Sequence, residues 1–337
     1  MRLRLLTAAL LTALATADAA AALAQQPTRT VAARQCCRLA SGTVVMVELA
    51  EPVSTKTHKA GDTFAIRLAE PVVVQGQIVL QAGAKGVGEV TDAAKPGLGG
   101  KGAKLVLSVR SLTDSAGHTL PLKGLQLAVN GKGHEKAATA LGLGGIGFAP
   151  LGLAGIVMRG GDAELPAGTQ ATAKLASSTT LRSLGKAPRG AGKIAVAAVE
   201  TGPIPIATPP KGMGQVVFFR KKSLLGTGQW FNVREDGKAL GKLTNGVWFA
   251  QAVSPGQHTF TAKTEPEFKD RLTLKIDAGE TYFVEGMLTH GVVIGIADLT
   301  PSDRTTFNDA AKDLKAAEPA VGDDQLKEES QDKAAAK

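Results

Sequence analysis

The residues most able to do chemistry are the histidines, and their spacing does not assemble a catalytic centre. No two of them have the close spacing of a zinc site on a helix or a hairpin. His134 lies in the stretch GKGHEK with one carboxylate neighbour and without an orienting partner. The sequence therefore predicts neither a metal nor a catalytic role for the scattered histidines, which are His58, His118, His134, His258 and His290.

The two cysteines, Cys36 and Cys37, are adjacent in the stretch ARQCCRL. Adjacent cysteines close only a strained ring, so in an oxidising compartment we expect them to stay free, to pair between molecules or to exchange. The alternative is an incidental pair in a flexible arm, residues 25–40. Such an arm cannot hold an oxyanion hole, and the chain has no nucleophile elbow. We therefore expect no enzyme activity and no cofactor.

A group of basic and aromatic residues is a candidate binding site. The stretch FFRKKSLLGTGQWF places three cations near Trp230 and Phe231. Charge combined with stacking would bind glycans, lipid phosphates or an acidic partner. The alternative is that the aromatic residues belong to the core of a small domain. The predicted ligand-binding residues are Arg220, Lys221, Lys222 and Trp230.

The apolar stretch LGLGGIGFAPLGLAGIVM, residues 141–158, is a candidate contact segment. Its glycines and Pro150 weaken a straight membrane helix. Three alternatives stay open: a loop packed under the first domain, a pair of short helices, or a hairpin that touches a membrane or a partner. The predicted contact residues are Leu141, Ile146, Phe148, Leu151, Leu153 and Ile156.

The N-terminus has the pattern of a cleaved signal peptide. Arg2 and Arg4 precede an Ala/Leu-rich run that ends at residue 24. A membrane helix is the weaker interpretation, because Asp18 interrupts the run and no basic cluster follows it. No cysteine lies at the cleavage point, so we expect no lipid anchor. The predicted location is the periplasm or the cell envelope.

The chain is basic, with a formal net charge of +9 and a pI near 9.5. Outside the cytoplasm, the available anionic partners are lipid headgroups, wall polymers and acidic proteins rather than chromosomal DNA. We therefore expect an envelope protein or an anionic polymer or lipid surface as the partner, and no nucleic acid. The sequence predicts no oligomeric state.

Residues 41–182 are typical of an all-β, barrel-like domain with an apolar, glycine-rich insertion at 138–162. In DTFAIRL, the residues Phe64, Ile66 and Leu68 share one face, as in a half-buried strand. The loop TDSAG, with Gly117 at its end, predicts a hairpin between two longer strands.

Several of the predicted strands are preceded by the same two-residue pattern, a small residue or proline followed by glycine. Type II turns accept alanine or proline at the second position and need positive φ at the third, which suits glycine. Glycine loops that cradle phosphate would instead need a following helix, so the repeats predict strand entries. The copies are Ala60-Gly61, Ala82-Gly83, Ala167-Gly168, Pro255-Gly256 and Ala278-Gly279.

Residues 183–212 are rich in proline and glycine and predict an extended linker. Residues 213–310 predict a small β-sandwich, with tight turns at Asp236-Gly237 and Asn245-Gly246. We expect a helix that starts near Pro301 and is capped by Thr300 or Ser302. The charged residues 311–337 predict a solvated tail.

Residues 213–300 contain the stretches GQVVFFRKKSLLG, NVREDGKALGKLTNGVWFAQAVSPGQHTFTAKTE and LTLKIDAGETYFVEG. With these stretches, the segment resembles a bacterial envelope family called domain of unknown function 2846. It implies an exported β-sandwich, often a lipoprotein, with no attached activity. This chain departs from the family in lacking a lipobox cysteine.

The first domain is similar to the TrbI-type β-barrel of conjugation and type IV secretion channels. The similarity lies in the stretch from SGTVVMVELAEPV to GAKGVGEV, in KLVLSVRSLTDSAGHTLPL and in ELPAGTQATAKL. The predicted function is a non-catalytic structural or interaction module of the envelope. The alternatives are a binding module for anionic envelope ligands (wall polymer, lipid phosphate or glycan) and an accessory subunit of a secretion-type assembly.

Overall fold

The computed structural model describes residues 35–95, 103–124, 126–130, 162–188, 202–224, 227–264, 269–289 and 295–317. More than half of these residues are in strands and only a few are in helices, which confirms the all-β prediction. The strands of the N-terminal part are β1 (Gln35–Leu39), β2 (Val44–Leu49), β3 (Val53–Ser54), β4 (Thr63–Leu68), β5 (Val72–Val74), β6 (Gln77–Leu80), β7 (Lys85–Ala94), β8 (Lys104–Thr113), β9 (Thr119–Lys123), β10 (Gln126–Asn130), β11 (Glu164–Leu165), β12 (Gln170–Leu175), β13 (Thr179–Arg182) and β14 (Gly185–Lys186).

The C-terminal part contains the remaining elements. They are β15 (Gly214–Arg220), β16 (Phe231–Glu235), β17 (Lys238–Leu243), β18 (Val247–Val253), β19 (Gly256–Lys263), β20 (Lys269–Ile276), β21 (Thr281–Thr289), β22 (Ile296–Ser302), helix α1 (Arg304–Ala310), a 3-10 turn (Ala311–Asp313) and β23 (Lys315–Ala316).

The first domain is a closed barrel. Its strands follow the order β8-β7-β4-β2-β12-β9, and the pairing of β8 with β9 closes the ring, while β10 adds to the free part of β8. Buried side chains alternate with exposed ones along β4 and with half-buried ones along β2 and β12, as the period of a strand requires. The barrel interior is filled by aliphatic side chains and one phenylalanine, including Val45, Val47, Leu49, Phe64, Ile66 and Leu68.

Two glycines of β7 make room for large side chains inside the barrel. Gly88 lies opposite Phe64, and Gly86 lies opposite Ile66. A Cβ atom at position 88 would come within 2.2 Å of the Phe64 ring. Because Gly86 and Gly88 have no side chains, the barrel can close around the bulky Phe64 and Ile66.

Four of the five predicted turns are confirmed. Their glycines have φ between 76° and 92°, and in each the backbone N–H of the fourth residue donates to the carbonyl of the first. The fifth differs, because Gly256 has a φ of 144° and is already the first residue of β19. In those four copies the glycine N–H also donates to a backbone carbonyl in or next to another strand, namely that of Val90, Leu68, Leu49 or Met213. The repeated turns thus begin strands and fasten them to their neighbours. The four glycines are Gly61, Gly83, Gly168 and Gly279.

Residues 35–39, at the end of the predicted arm, form strand β1, which pairs with β13. Cys37 is 2% exposed and packs in the barrel-domain core, and its sulfur is in a disulfide. The expectation of a free thiol is therefore wrong for Cys37. Residues 35–39 lie in a strand, and this residue is in the core.

The second domain is a sandwich of two sheets. A five-stranded sheet, β22-β21-β15-β18-β23, faces a four-stranded sheet, β17-β16-β19-β20. Phe218 lies at the centre of the core between them, with its ring centroid 5.2 Å from that of Phe249 and 5.1 Å from that of Phe260. The Asp236-Gly237 turn joins β16 to β17 as a hairpin, whereas Asn245-Gly246 leads from one sheet to the other.

The other face of the five-stranded sheet is covered by α1 and by part of the linker. Phe307 of α1 is fully buried, and its ring contacts those of Phe219 and Trp248. Ile204 and Ile206 of the linker pack against the same cluster. The described residues 202–212 of this segment therefore cover part of a sheet.

The predicted start of α1 is wrong. Thr300, Pro301 and Ser302 belong to β22, and the N-cap is Asp303, whose Oδ1 accepts a hydrogen bond from the Thr306 N–H at 2.8 Å. Pairing with β21 extends the strand beyond the position where the local pattern begins a helix. In the predicted tail, β23 pairs with β18.

Buried charges join the barrel to the sandwich. Lys104 of β8 has a side chain that is 5% exposed, and its Nζ lies 2.5 Å from Asp270 Oδ2 on β20 and 2.6 Å from Asp298 Oδ1 on β22. Asp92 of β7 accepts a hydrogen bond from the backbone N–H of Thr273, at 2.8 Å. We call these contacts the buried joint.

A second set of contacts joins the same two domains. Glu280 of the sandwich lies 2.7 Å from Lys174 and 3.3 Å from Lys123, which are barrel residues. The N–H of Gly124 donates to Asp277 at 3.0 Å. The repeated turn at residues 277–280 thus contacts the barrel where β9 pairs with β12.

Asp92 makes the stability of the fold depend on pH. Burial raises the pKa of Asp92 above its ordinary value of 3.8, and the hydrogen bond from Thr273 and the charges of Arg271 and Lys104 offset only part of this effect. Between the two pKa values the native state holds a proton that the unfolded state has lost. The stabilisation from this group is therefore complete below pH 3.8 and is lost as the pH rises through the native pKa.

We predict that Asp92→Asn abolishes this part of the pH dependence, because asparagine keeps an acceptor for Thr273 and does not titrate. As the pH rises above 3.8, the free energy of unfolding of the wild type should fall relative to that of the variant. Urea denaturation of both proteins over a range of pH measures this difference. Asp236→Asn, at an exposed hairpin turn, is the matched control. A difference that is constant with pH would contradict the prediction.

Candidate functional site

Arg220, the first of the predicted ligand-binding residues, is buried. Its side chain is inside the sandwich, with 2% of the residue exposed, and Nη1 donates to the backbone carbonyl of Gln229 at 2.6 Å. Burial lowers the pKa of the guanidinium, which still carries its charge at neutral pH. The structure therefore gives Arg220 a contact that closes the base of the loop between β15 and β16.

The other three predicted residues lie at different places on that loop. Lys221 pairs with Glu285 of β21 at 3.1 Å. Lys222 is exposed beside the Gly246 turn. Trp230 is 39% exposed, and the Nζ of Lys242 lies 3.9 Å from its ring centroid. The contacts of Arg220, Lys221, Lys222 and Trp230 are thus made with separate neighbours, and none of these contacts joins two of the four.

The predicted contact residues of the apolar stretch lie outside the described residues. They are Leu141, Ile146, Phe148, Leu151, Leu153 and Ile156. His134 and His290 also lie outside them.

Several cations lie on the outer face of the four-stranded sheet. In β20, Leu272, Leu274 and Ile276 turn into the core, so the alternate residues Arg271 and Lys275 turn outward. The same alternation places cations on the outer side of the neighbouring strands. We call this surface the basic sheet face; it consists of Arg234, Lys242, Lys263, Arg271 and Lys275.

Strand register brings these cations together. Arg234 of β16 is opposite Thr261 of β19, and Thr261 is opposite Arg271 of β20. One row further along, Asn232 lies between Lys242 and Lys263. Because neighbouring strands are about 4.8 Å apart, each row presents its cations within the span of a few sugar or phosphate units.

The middle of the basic sheet face is an open cleft of about 610 Å³. Its walls are Arg234, Asp236, Gly237, Thr259, Thr261, Lys263 and Arg271. Arg234 is held in place because its Nη1 donates to the carbonyl of Gly237 at 2.7 Å. Thr259 and Thr273 hydroxyls are 3.1 Å apart across β19 and β20. The strands of the sheet therefore hold the side chains that line the cleft, among which are the hydroxyl groups of Thr259 and Thr261.

The electrostatics of the cleft favour an anion. Lys263 and Arg271 are exposed, and no carboxylate of the described chain is within ion-pair distance of either one. The exposed carboxylate of Asp236 lies at the rim, on the hairpin turn. A guanidinium presents a planar set of donors that matches a carboxylate or a phosphate in bidentate geometry. The cleft can thus hold an anionic group between an arginine and a lysine from adjacent strands.

The basic sheet face was not predicted, although its signal is present in the sequence. RLTLKID shows alternation of cations with aliphatic residues, which assigns Arg271 and Lys275 to one face. Which cations of β16, β17 and β19 join them depends on sheet order and register. Local clustering in the sequence favoured the stretch FFRKK, where one cation points inward.

Other kinds of site have less support in the described part of the chain. There, no group of three or more His, Cys, Asp or Glu side chains is arranged to hold a metal ion. No helix among these residues has both the length and the apolar composition needed to cross a membrane.

Comparison with known families identifies part of the sandwich. Residues 210–296 match the family described as protein of unknown function DUF2846. The match runs from just before β15 to the start of β22, and it confirms the resemblance of the second domain. No curated protein matches the chain.

We predict that Arg220→Met lowers the free energy of unfolding by about 2 kcal/mol, because the variant leaves the Gln229 carbonyl without its charged donor. Lys222→Met, which changes the charge equally at an exposed position two residues away, should change it by less than about 0.5 kcal/mol. Urea denaturation followed by tryptophan fluorescence measures both values. Equal effects of the two substitutions would show that Arg220 has no structural role.

Proposed function

We propose that this chain is a non-catalytic interaction module of the cell envelope that binds an anionic polymer through the basic sheet face. The observation that carries the proposal is the convergence of Arg234, Lys263 and Arg271 from three adjacent strands on one open cleft. Binding requires no chemistry from the protein, only fixed cations and hydroxyl groups. The chemistry of the ligand is a repeated phosphate or carboxylate.

The shape of the site supports an extended ligand. The cleft is open to solvent rather than enclosed, and cations continue beyond it to Lys242 on one side and Lys275 on the other. A small anion would need only one pair of these groups, whereas a polymer can contact several of them. Multiple weak ion contacts add up along a chain when they can be made at the same time.

The envelope location belongs to the same proposal. It rests on the signal-peptide pattern of residues 1–24, which supports export to a compartment where wall polymers and anionic lipids are the abundant anions. We also propose that the first domain is related to the TrbI-type barrel. The closed barrel is compatible with this relationship, but it does not by itself support a role in secretion.

The experiment is charge reversal on the basic sheet face. We expect Lys263→Glu combined with Arg271→Glu to weaken binding to immobilised polyphosphate or polygalacturonate by about ten-fold or more, because two attractive contacts become repulsive. Biolayer interferometry on the purified protein measures the affinity, and raising the salt concentration should weaken wild-type binding. The two polymers distinguish phosphate from carboxylate recognition.

The matched control is Lys85→Glu combined with Arg182→Glu. These residues are exposed on the barrel, and the pair changes the net charge by the same amount. If both double variants lose binding equally, only net charge matters and the assignment to the basic sheet face is overturned. Wild-type protein that binds neither polymer would overturn the proposed function.

A further inference from the structure

We propose that the buried joint is the site of a covalent modification, an amide bond between the side chains of Lys104 and Asp270 that forms within the folded chain with loss of water. The bond joins β8 of the barrel to β20 of the sandwich. Neither residue lines the cleft of the basic sheet face, and the proposal does not depend on polymer binding there. Three features carry it: contact between the reacting groups, burial, and a second carboxylate.

The first feature is that the fold holds the two reacting groups in contact. The Nζ of Lys104 lies 2.5 Å from Asp270 Oδ2, although the two residues are 166 positions apart in the chain. Condensation of a free amine with a free acid in water requires an encounter between two molecules in a suitable orientation. Here the encounter is replaced by a step within one molecule, which lowers the barrier because the positioning is complete before the reaction.

The second feature is that the contact is shielded from water. The side chain of Lys104 is 5% exposed and that of Asp270 is 7% exposed. In a site without water, charged groups are disfavoured, so proton transfer within an ion pair gives a neutral amine, which is the nucleophile that amide formation needs. The exclusion of water also opposes the reverse reaction, hydrolysis of the amide.

The third feature is a second carboxylate, that of Asp298, whose Oδ1 lies 2.6 Å from the same Nζ. A carboxylate at this distance accepts a proton from the ammonium group and passes it to the leaving oxygen, which is general acid–base catalysis. Asp270 is held differently, because its Oδ2 also accepts a hydrogen bond from the Leu299 N–H at 2.8 Å. A backbone N–H at this oxygen stabilises the negative charge that develops when the amine attacks. Asp270 is therefore the electrophile, and Asp298 is the proton carrier.

The atoms and charges of this reaction balance. A bond forms between Lys104 Nζ and Asp270 Cγ, and the bond between Cγ and Oδ1 breaks, since the Leu299 N–H holds Oδ2. Two protons of the ammonium group leave with Oδ1 as one water molecule, and Asp298 returns to its starting form. One positive and one negative charge disappear together, so the reaction needs no oxidant, reductant or other co-reactant. The ion pair in the structure is the reactant, and the amide keeps the same two side chains in contact.

The proposal is tested by mass spectrometry of the purified protein after denaturation and reduction of its disulfide. We expect the wild-type mass to be lower than the sequence mass by one water molecule, and a protease digest to contain a branched peptide that links Lys104 to Asp270. Lys104→Arg should have its full sequence mass, because a guanidinium group keeps the ion pair but does not lose a proton to become a nucleophile.

Two further variants separate this chemistry from a merely structural role. Lys174→Arg is the matched control, because Lys174 also pairs with a carboxylate across the two domains, at 2.7 Å from Glu280, but its side chain is 32% exposed. This variant should lose water as the wild type does. Asp298→Asn, which removes the proton carrier, should slow bond formation by about 100-fold or more, so that most of the purified variant has no branched peptide. Circular dichroism checks that each variant folds.

Either of two results on the wild type would overturn the proposal, and neither depends on how well a variant folds. One is a protein that keeps its full sequence mass after prolonged incubation at neutral pH. The other is loss of water without a branched peptide between Lys104 and Asp270, as ring closure at the exposed Asp236-Gly237 turn would produce. The mass is measured without any polymer, so failure of this proposal is distinguishable from failure of the proposed function.

Discussion

The fold depends on one buried cation, Lys104, which is placed between two carboxylates of the other domain. Its ammonium group contacts Asp270 on one sheet of the sandwich and Asp298 on the other. Removing charges from water is costly, so such a group is tolerated only where its partners are close and are themselves hydrogen-bonded. Asp270 meets this condition, because the same oxygen accepts from the Leu299 N–H at 2.8 Å. Val106 adds apolar contact, since this barrel residue packs in the sandwich core. A barrel residue is therefore part of the sandwich core.

This joint also sets the position of the candidate site. Strand β20 is the edge of its sheet, and an exposed edge invites pairing with another chain. Here the barrel covers that edge, because Asp92 accepts the free N–H of Thr273. The side chains of β20 therefore face three different places. Asp270 faces the buried joint, the aliphatic residues fill the core, and Arg271 faces the cleft. A surface that binds a polymer by several weak contacts needs its cations at fixed spacing, and the buried joint fixes the strand that carries two of them.

The sequence predicts the local structure well and the long-range contacts poorly, for physical reasons. The turns at Gly61, Gly83, Gly168 and Gly279 follow from the conformational freedom of glycine, and the strands follow from alternation. The buried joint brings together residues that are 166 positions apart, and nothing local to Lys104 distinguishes it from an exposed lysine. Arg220 ends a strand whose side chains are all buried on a two-sided sheet, so alternation gives no indication of its direction. The basic sheet face, likewise, requires the register of four strands.

The most direct test of the role of the buried joint is native-state hydrogen exchange of the intact protein. If the buried joint makes the two domains one cooperative unit, the slowest amides of β8 in the barrel and of β15 in the sandwich should exchange with the same free energy and the same dependence on denaturant. If the β8 amides instead exchange through a separate opening of lower free energy, the barrel unfolds independently of the sandwich, and the joint does not have the role given to it here.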